Sequence, residues 1–166
     1  MKITGQCLLG LWATLMLAAT GLTAQTTDAN SFSNASVIGT YSANERGDGS
    51  VSAGIGLVRY DGKGATSRRI TVNAPAEDGG RRLLVFEADG KYTVNNDGTG
   101  TITYVNTISG GMTSAVTFDF VITSTEIVWI PGVGRRRVAT ELAAVQREAG
   151  LTVSLITSVQ KRIADE

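Results

Sequence analysis

Ser158 and Lys161 stand three residues apart, the spacing at which a lysine one helical turn along the chain can take a proton from a serine hydroxyl. The residues around them alternate as a strand does, which sends the two side chains to opposite faces and leaves the pair chemically idle. Asp119, set between Phe118 and Phe120, and Glu87, beside Phe86, are acids that neighbouring strands could bring together to share a proton or hold a cation. The alternation turns Asp119 away from the apolar face, toward solvent. Asp89, Asn95, Asn96 and Asp97 offer hard oxygen ligands, but not at the spacing of a calcium loop, and turn formation accounts for them. The chain has no histidine, which removes imidazole general bases, Ser-His-Asp and Cys-His nucleophiles and the usual zinc sites. Its 20 glycines build neither a nucleophile elbow nor a phosphate-binding loop. No catalytic residue, metal ligand or cofactor is assigned.

Arg135-Arg136-Arg137, together with Arg68-Arg69 and Arg81-Arg82, could meet phosphate or polyanionic glycans. The alternative use of such arginines is to keep exposed strand edges from pairing with other chains, and the zero formal net charge favours it. That balance also gives no electrostatic case for nucleic acid or an anionic membrane surface. Arg46-Gly47-Asp48 spells an integrin-binding tripeptide but reads as turn composition. Asn34-Ala35-Ser36 fits a glycosylation sequon, which matters only in a eukaryotic secretory pathway.

Lys2 followed by the apolar stretch Cys7 to Leu22 reads as an export signal, with cleavage after Ala24 at the small-residue ending Leu22-Thr23-Ala24. The single cysteine, Cys7, lies inside that leader, so the exported chain folds without a disulfide. Residues 25–36 are rich in Thr, Asn, Ser and Ala and read as a flexible lead-in; residues 37–166 form one domain. A secreted or periplasmic location follows, with no membrane insertion once the leader is removed, since aromatic girdles are lacking.

Within the domain, Asp48-Gly49, Asp61-Gly62, Asp78-Gly79, Asp89-Gly90 and Asp97-Gly98 suit the tight turns of antiparallel hairpins, although Asp89-Gly90 sits so close to the next pair that it reads equally as a bulge inside a strand. Between the turns apolar residues alternate: Val51, Ala53, Ile55 and Leu57; Ile70 and Val72; Leu84 and Phe86; Tyr92 and Val94; Ile102, Tyr104 and Ile108; Val116, Phe118, Phe120 and Ile122; then, past a corner at Ser124-Thr125, Ile127 and Trp129. The last series sets Leu151, Val153, Leu155 and Val159 against Ser154, Ser158 and Gln160. The fold class is all-β, an antiparallel up-and-down barrel of about eight strands. Val138, Leu142, Val145 and Ala149 recur at helical spacing and read as a short helix ending at Gly150; the competing reading is a strand over Ala139 to Arg147, which ring closure would favour.

Gly39-Thr40-Tyr41, the hairpin Tyr60-Asp61-Gly62-Lys63-Gly64, the run Tyr92 to Thr101 and the pair Lys161-Arg162 resemble a group of uncharacterised exported bacterial β-barrel proteins and, more distantly, the calycins: lipocalins and allene oxide cyclase-like barrels. In that resemblance Gly39 opens the first strand, Tyr41 replaces the lipocalin Trp, and Arg162 is the cation that packs across it. It implies a small apolar ligand inside the barrel, facing Ile55, Leu57, Phe86, Tyr104, Phe118, Phe120 and Trp129. The same side chains could instead fill the interior and leave a structural or adhesive surface module. A cavity-based isomerase is a third expectation, and it requires a buried acid or tyrosine in the pocket.

Overall fold

The computed structural model describes residues 31–47, 52–108, 113–130, 132, 134–148 and 155–163. The eight strands are β1 (Ile38–Gly47), β2 (Ala53–Asp61), β3 (Ala65–Pro75), β4 (Arg81–Val94), β5 (Thr99–Ile108), β6 (Thr113–Ile130), β7 (Gly134–Gln146) and β8 (Ile156–Arg162). Each pairs antiparallel with the next and β8 returns to β1, closing an up-and-down barrel. Because every strand finds both neighbours between Ile38 and Arg162, the cylinder closes without residues 1–30. The expected leader lies outside the described residues.

The tight reversals follow from local chemistry. The Asp61 carboxylate accepts the backbone N–H groups of Lys63, Gly64 and Ala65, while Gly62 takes φ +75°. Asp78-Gly79 and Asp97-Gly98 join β3 to β4 and β4 to β5 in the same way, with Gly79 at φ +80° and Gly98 at φ +87°. Asp48-Gly49 falls outside the described residues. Asp89-Gly90 is neither turn nor bulge: both residues pair in unbroken register within β4, opposite Ser67 and Thr66 on one side and Val105 and Tyr104 on the other.

Three further expectations need correction. Residues 138–146 are strand, not helix, because β7 satisfies its backbone against β6 and β8 at once, and barrel closure outweighs the helix propensity of Ala, Glu, Leu and Gln. The corner at Ser124-Thr125 is a pair of register shifts, and β6 continues through it to Ile130. The lead-in is anchored from Phe32 onward: its N–H bonds the Asn96 carbonyl, and a 3-10 turn at Asn34–Ser36 caps one end of the barrel. There the Asn34 side chain accepts the Val94 N–H and the Tyr92 hydroxyl donates to the Val37 carbonyl.

The core is the barrel interior. Tyr41, Tyr60 and Tyr92 stack edge to face, with ring centroids 5.3 and 5.0 Å apart, beside a layer in which Tyr104 meets Phe118 at 6.2 Å. Inward glycines admit these rings. A Cβ at Gly56 would lie 2.1 Å from the Arg69 carbonyl oxygen, so only glycine lets β3 curl this tightly over β2.

Candidate functional site

Four of the side chains expected inside, Phe86, Tyr104, Phe118 and Phe120, are buried there. Ile55, Leu57 and Trp129 are not. Ile55 and Leu57 alternate with Gly54 and Gly56, and since the glycines face inward the apolar pair must face outward, 69% and 45% exposed. Trp129 is 72% exposed because β6 has parted from β5 by that point: their pairing ends at Thr99 and Val121, and no barrel interior remains for it to face. On β8, likewise, Ser158 and Gln160 are buried while Val159, and Leu155 just before the strand, are exposed, the reverse of the expected faces.

The interior also holds charge. From β1, Tyr41, Ala43 and Glu45 all point inward; from β3, Thr66, Arg68, Ile70 and Val72 do so. The Arg68 guanidinium donates to the Glu45 carboxylate at 3.2 Å and to the Asn106 side-chain oxygen at 2.8 Å, and lies 4.3 Å from the centroid of the Tyr104 ring. Burial pushes the Glu45 carboxyl above its ordinary value, and the Arg68 charge partly offsets that. Burial likewise raises the Tyr60 and Tyr104 phenols, although Tyr60 donates to Gln160 at 2.8 Å. The Tyr104 hydroxyl faces those of Thr66 and Tyr60, and the Ser158 hydroxyl closes no hydrogen bond. The parity of Tyr41 and Ile70 along their strands places Glu45 and Arg68 inside; sequence reasoning passed over Glu45 and grouped Arg68 with arginines for polyanions or strand edges, which its burial corrects, because lone charges are seldom buried.

Gly39 and Tyr41 open β1, and Arg162 sits opposite Tyr41 in the β1–β8 register. Tyr41 is fully buried and donates its hydroxyl to the Ala139 carbonyl at 2.6 Å. Arg162 donates to the Ile38 carbonyl at 3.2 Å and to Glu126 at 2.9 Å. The other candidates separate. Ser158 is buried while Lys161 is exposed and pairs with Glu141. Asp119 pairs with Arg147 at 2.5 Å and Glu87 with Arg69 at 3.2 Å, both on the outer wall. Asp97 is consumed by its own turn, accepting the Thr99 N–H and hydroxyl. No cluster of metal-ligating side chains occurs among the described residues.

Two concavities among the described residues are large enough to receive a molecule, and both lie outside the barrel. A groove of about 680 Å³ runs along β1, floored by Ser42 and Asn44 and walled by Ile55 and Leu57 on β2 and Val159 and Lys161 on β8. Its shape follows from register: Asn44 lies between Val159 and Ile55, and Ser42 between Lys161 and Leu57, so short side chains separate two taller rows. A more polar hollow of about 880 Å³ continues past Leu57 over Arg59, Arg69, Glu87 and Asp89. A hollow at the barrel mouth beside Glu45, Ser52 and Val72 has no room for a water. Comparison with protein-family models, curated proteins and solved structures finds no match.

Proposed function

We propose that this chain is an exported binding module that uses the outer wall of its barrel, taking an apolar partner with a carboxylate along the β1 groove. The observation that carries the reading is the inversion of β2: glycine fills the interior positions while Ile55 and Leu57 stand in solvent beside a groove of ligand size. Arg59, just past Leu57 and without an ion-pair partner among the described residues, suits a negative group on the partner, while Lys161 on the groove wall is shared with Glu141. The export leader supports a secreted or periplasmic setting, and the closed eight-stranded barrel with Arg162 opposite Tyr41 supports a distant calycin kinship.

A ligand inside the barrel is the second reading, favoured by the buried, unbonded hydroxyl of Ser158. Glu45 and Tyr104 would supply the buried acid and phenol that an isomerase requires. An apolar guest would have to displace Phe86, Phe118 or Phe120, each already packed. Both readings are tested by titrating the chain with 1-anilinonaphthalene-8-sulfonate, an apolar anion, and following amide shifts by NMR. Shifts confined to Ile55, Leu57, Val159 and Lys161 are the expected result. Shifts at Tyr104 and Phe118 would move the site into the barrel, and no shifts at all would sink the groove.

A further inference from the structure

Beyond Glu126, β6 and β7 leave the barrel and pair only with each other. The β5–β6 ladder stops at Val121 and the β7–β8 ladder begins at Glu141, whereas β6 and β7 remain in register through Ile127 with Arg137, Val128 with Arg136, Trp129 with Arg135 and Ile130 with Gly134. The result is a two-stranded arm reaching roughly 10 Å past Ile127. One of its faces carries Ile127, Trp129, Arg135 and Arg137; the other carries Val128, Ile130 and Arg136. From Ile127 to Val138 the sequence holds three arginines and no acid.

We propose that this arm docks the protein on the surface of a lipid bilayer with anionic headgroups. Two observations set the arm apart from an edge that is merely protected from pairing. Blunting an edge needs charge, yet Trp129 and Ile127 stand 72% and 53% exposed, and a two-stranded end with exposed indole and aliphatic groups fits the apolar-to-polar boundary of a membrane. The same end concentrates three arginines with no ion-pair partner among the described residues: Arg135 is exposed, Arg136 is half-buried, and Arg137 lies 5.8 Å from the centroid of the Phe32 ring, a contact that leaves its charge uncompensated. Their charge is available to lipid phosphates and carboxylates. The zero net charge of the whole chain conceals this local concentration, because the balancing acids lie elsewhere. The contact is peripheral: the arm rests in the headgroup layer while the barrel stays in water, and the β1 groove is not part of it.

The chain from Gln25 folds independently of the leader by the barrel-closure argument, and it retains Trp129 as its one tryptophan. It is mixed with vesicles of phosphatidylcholine alone and with 30% phosphatidylglycerol, at low and high salt. The expected result is co-sedimentation and a blue shift of Trp129 emission with the anionic vesicles only, weakened by salt. The triple variant R135Q/R136Q/R137Q should lower vesicle affinity on the order of 100-fold, and Trp129→Ala should weaken it further. Because the arm lies outside the barrel, circular dichroism of both variants should match the parent. Failure to bind anionic vesicles, equal binding to neutral ones, full binding by the triple variant, or an emission shift with heparin but not with vesicles would each overturn the proposal.

Discussion

Glu45 and Arg68 meet at 3.2 Å inside the barrel, with 5% and 6% of their side chains exposed. The pair has removed two charges from water, and what holds it is geometry: Asn106 takes a second guanidinium N–H and the Tyr104 ring lies beneath the cation. Removing one partner strands the other. Glu45→Ala and Arg68→Ala should each cost about 3–5 kcal/mol of folding stability by urea unfolding. The double replacement Glu45→Leu with Arg68→Met should cost far less than the sum, because it leaves no buried charge behind. Additive losses would show that the two residues do not act as a pair.

The same carboxyl sets a pH dependence of unusual sign. Burial, only partly offset by Arg68, holds the folded Glu45 carboxyl above its ordinary 4.5. A group that binds its proton more tightly when folded stabilises fully below its unfolded value, and that contribution is lost as pH rises through the folded one. Asp61, Asp97, Asp119 and Glu141 run the other way: the hydrogen bonds of Lys63, Thr99, Arg147 and Thr123 hold them below their ordinary values, and their contribution is lost in acid. The chain has no histidine, so no imidazole titration overlies the carboxylate effects. Urea midpoints should therefore decline as pH rises from 4.5 through the folded Glu45 value, and Glu45→Gln should flatten the decline. An unchanged slope in the variant would assign it to another group.

The inversion of β2 is measurable as a difference between two large apolar residues. Phe118 is buried against Tyr104, so Phe118→Ala should cost about 3–5 kcal/mol. Leu57 stands on the outer wall, and Leu57→Ala should stay within about 0.5 kcal/mol while weakening the groove. A large loss of stability at Leu57 would mean that it packs inside after all.

The barrel was legible because its signals are local and agree with one another. Asp-Gly turns and period-two alternation mark where strands begin and end, as Asp61-Gly62 and the run Val116 to Ile122 do. Which face turns inward is a tertiary property. For β6 the apolar rule gives the right answer; for β2 it gives the wrong one, since inward space is set by how closely β3 approaches, and Gly54 and Gly56 mark it better than Ile55 and Leu57 do. The polar core was hidden for a related reason: Glu45 and Arg68 are placed inside by parity alone, against the expectation attached to charge. Trp129 was misplaced because nothing in the sequence announces that β6 outruns its neighbour β5.

Two glycines that look alike in sequence should respond to alanine by different mechanisms. Gly79 takes φ +80° in an exposed turn with nothing within 4 Å of an added Cβ, so Gly79→Ala pays only for the backbone, about 1–2 kcal/mol. At Gly100 the backbone is unstrained but the space is filled: an added Cβ would lie 2.2 Å from the Thr93 carbonyl oxygen and 2.4 Å from the Phe120 ring. Gly100→Ala should cost about 3 kcal/mol or more, measured by thermal or urea unfolding. Trimming the ring with Phe120→Leu should not rescue it, because the Thr93 carbonyl belongs to the β4–β5 ladder and cannot retreat without breaking register. A full rescue would mean that the aromatic ring, not the approach of the two strands, is what requires glycine there.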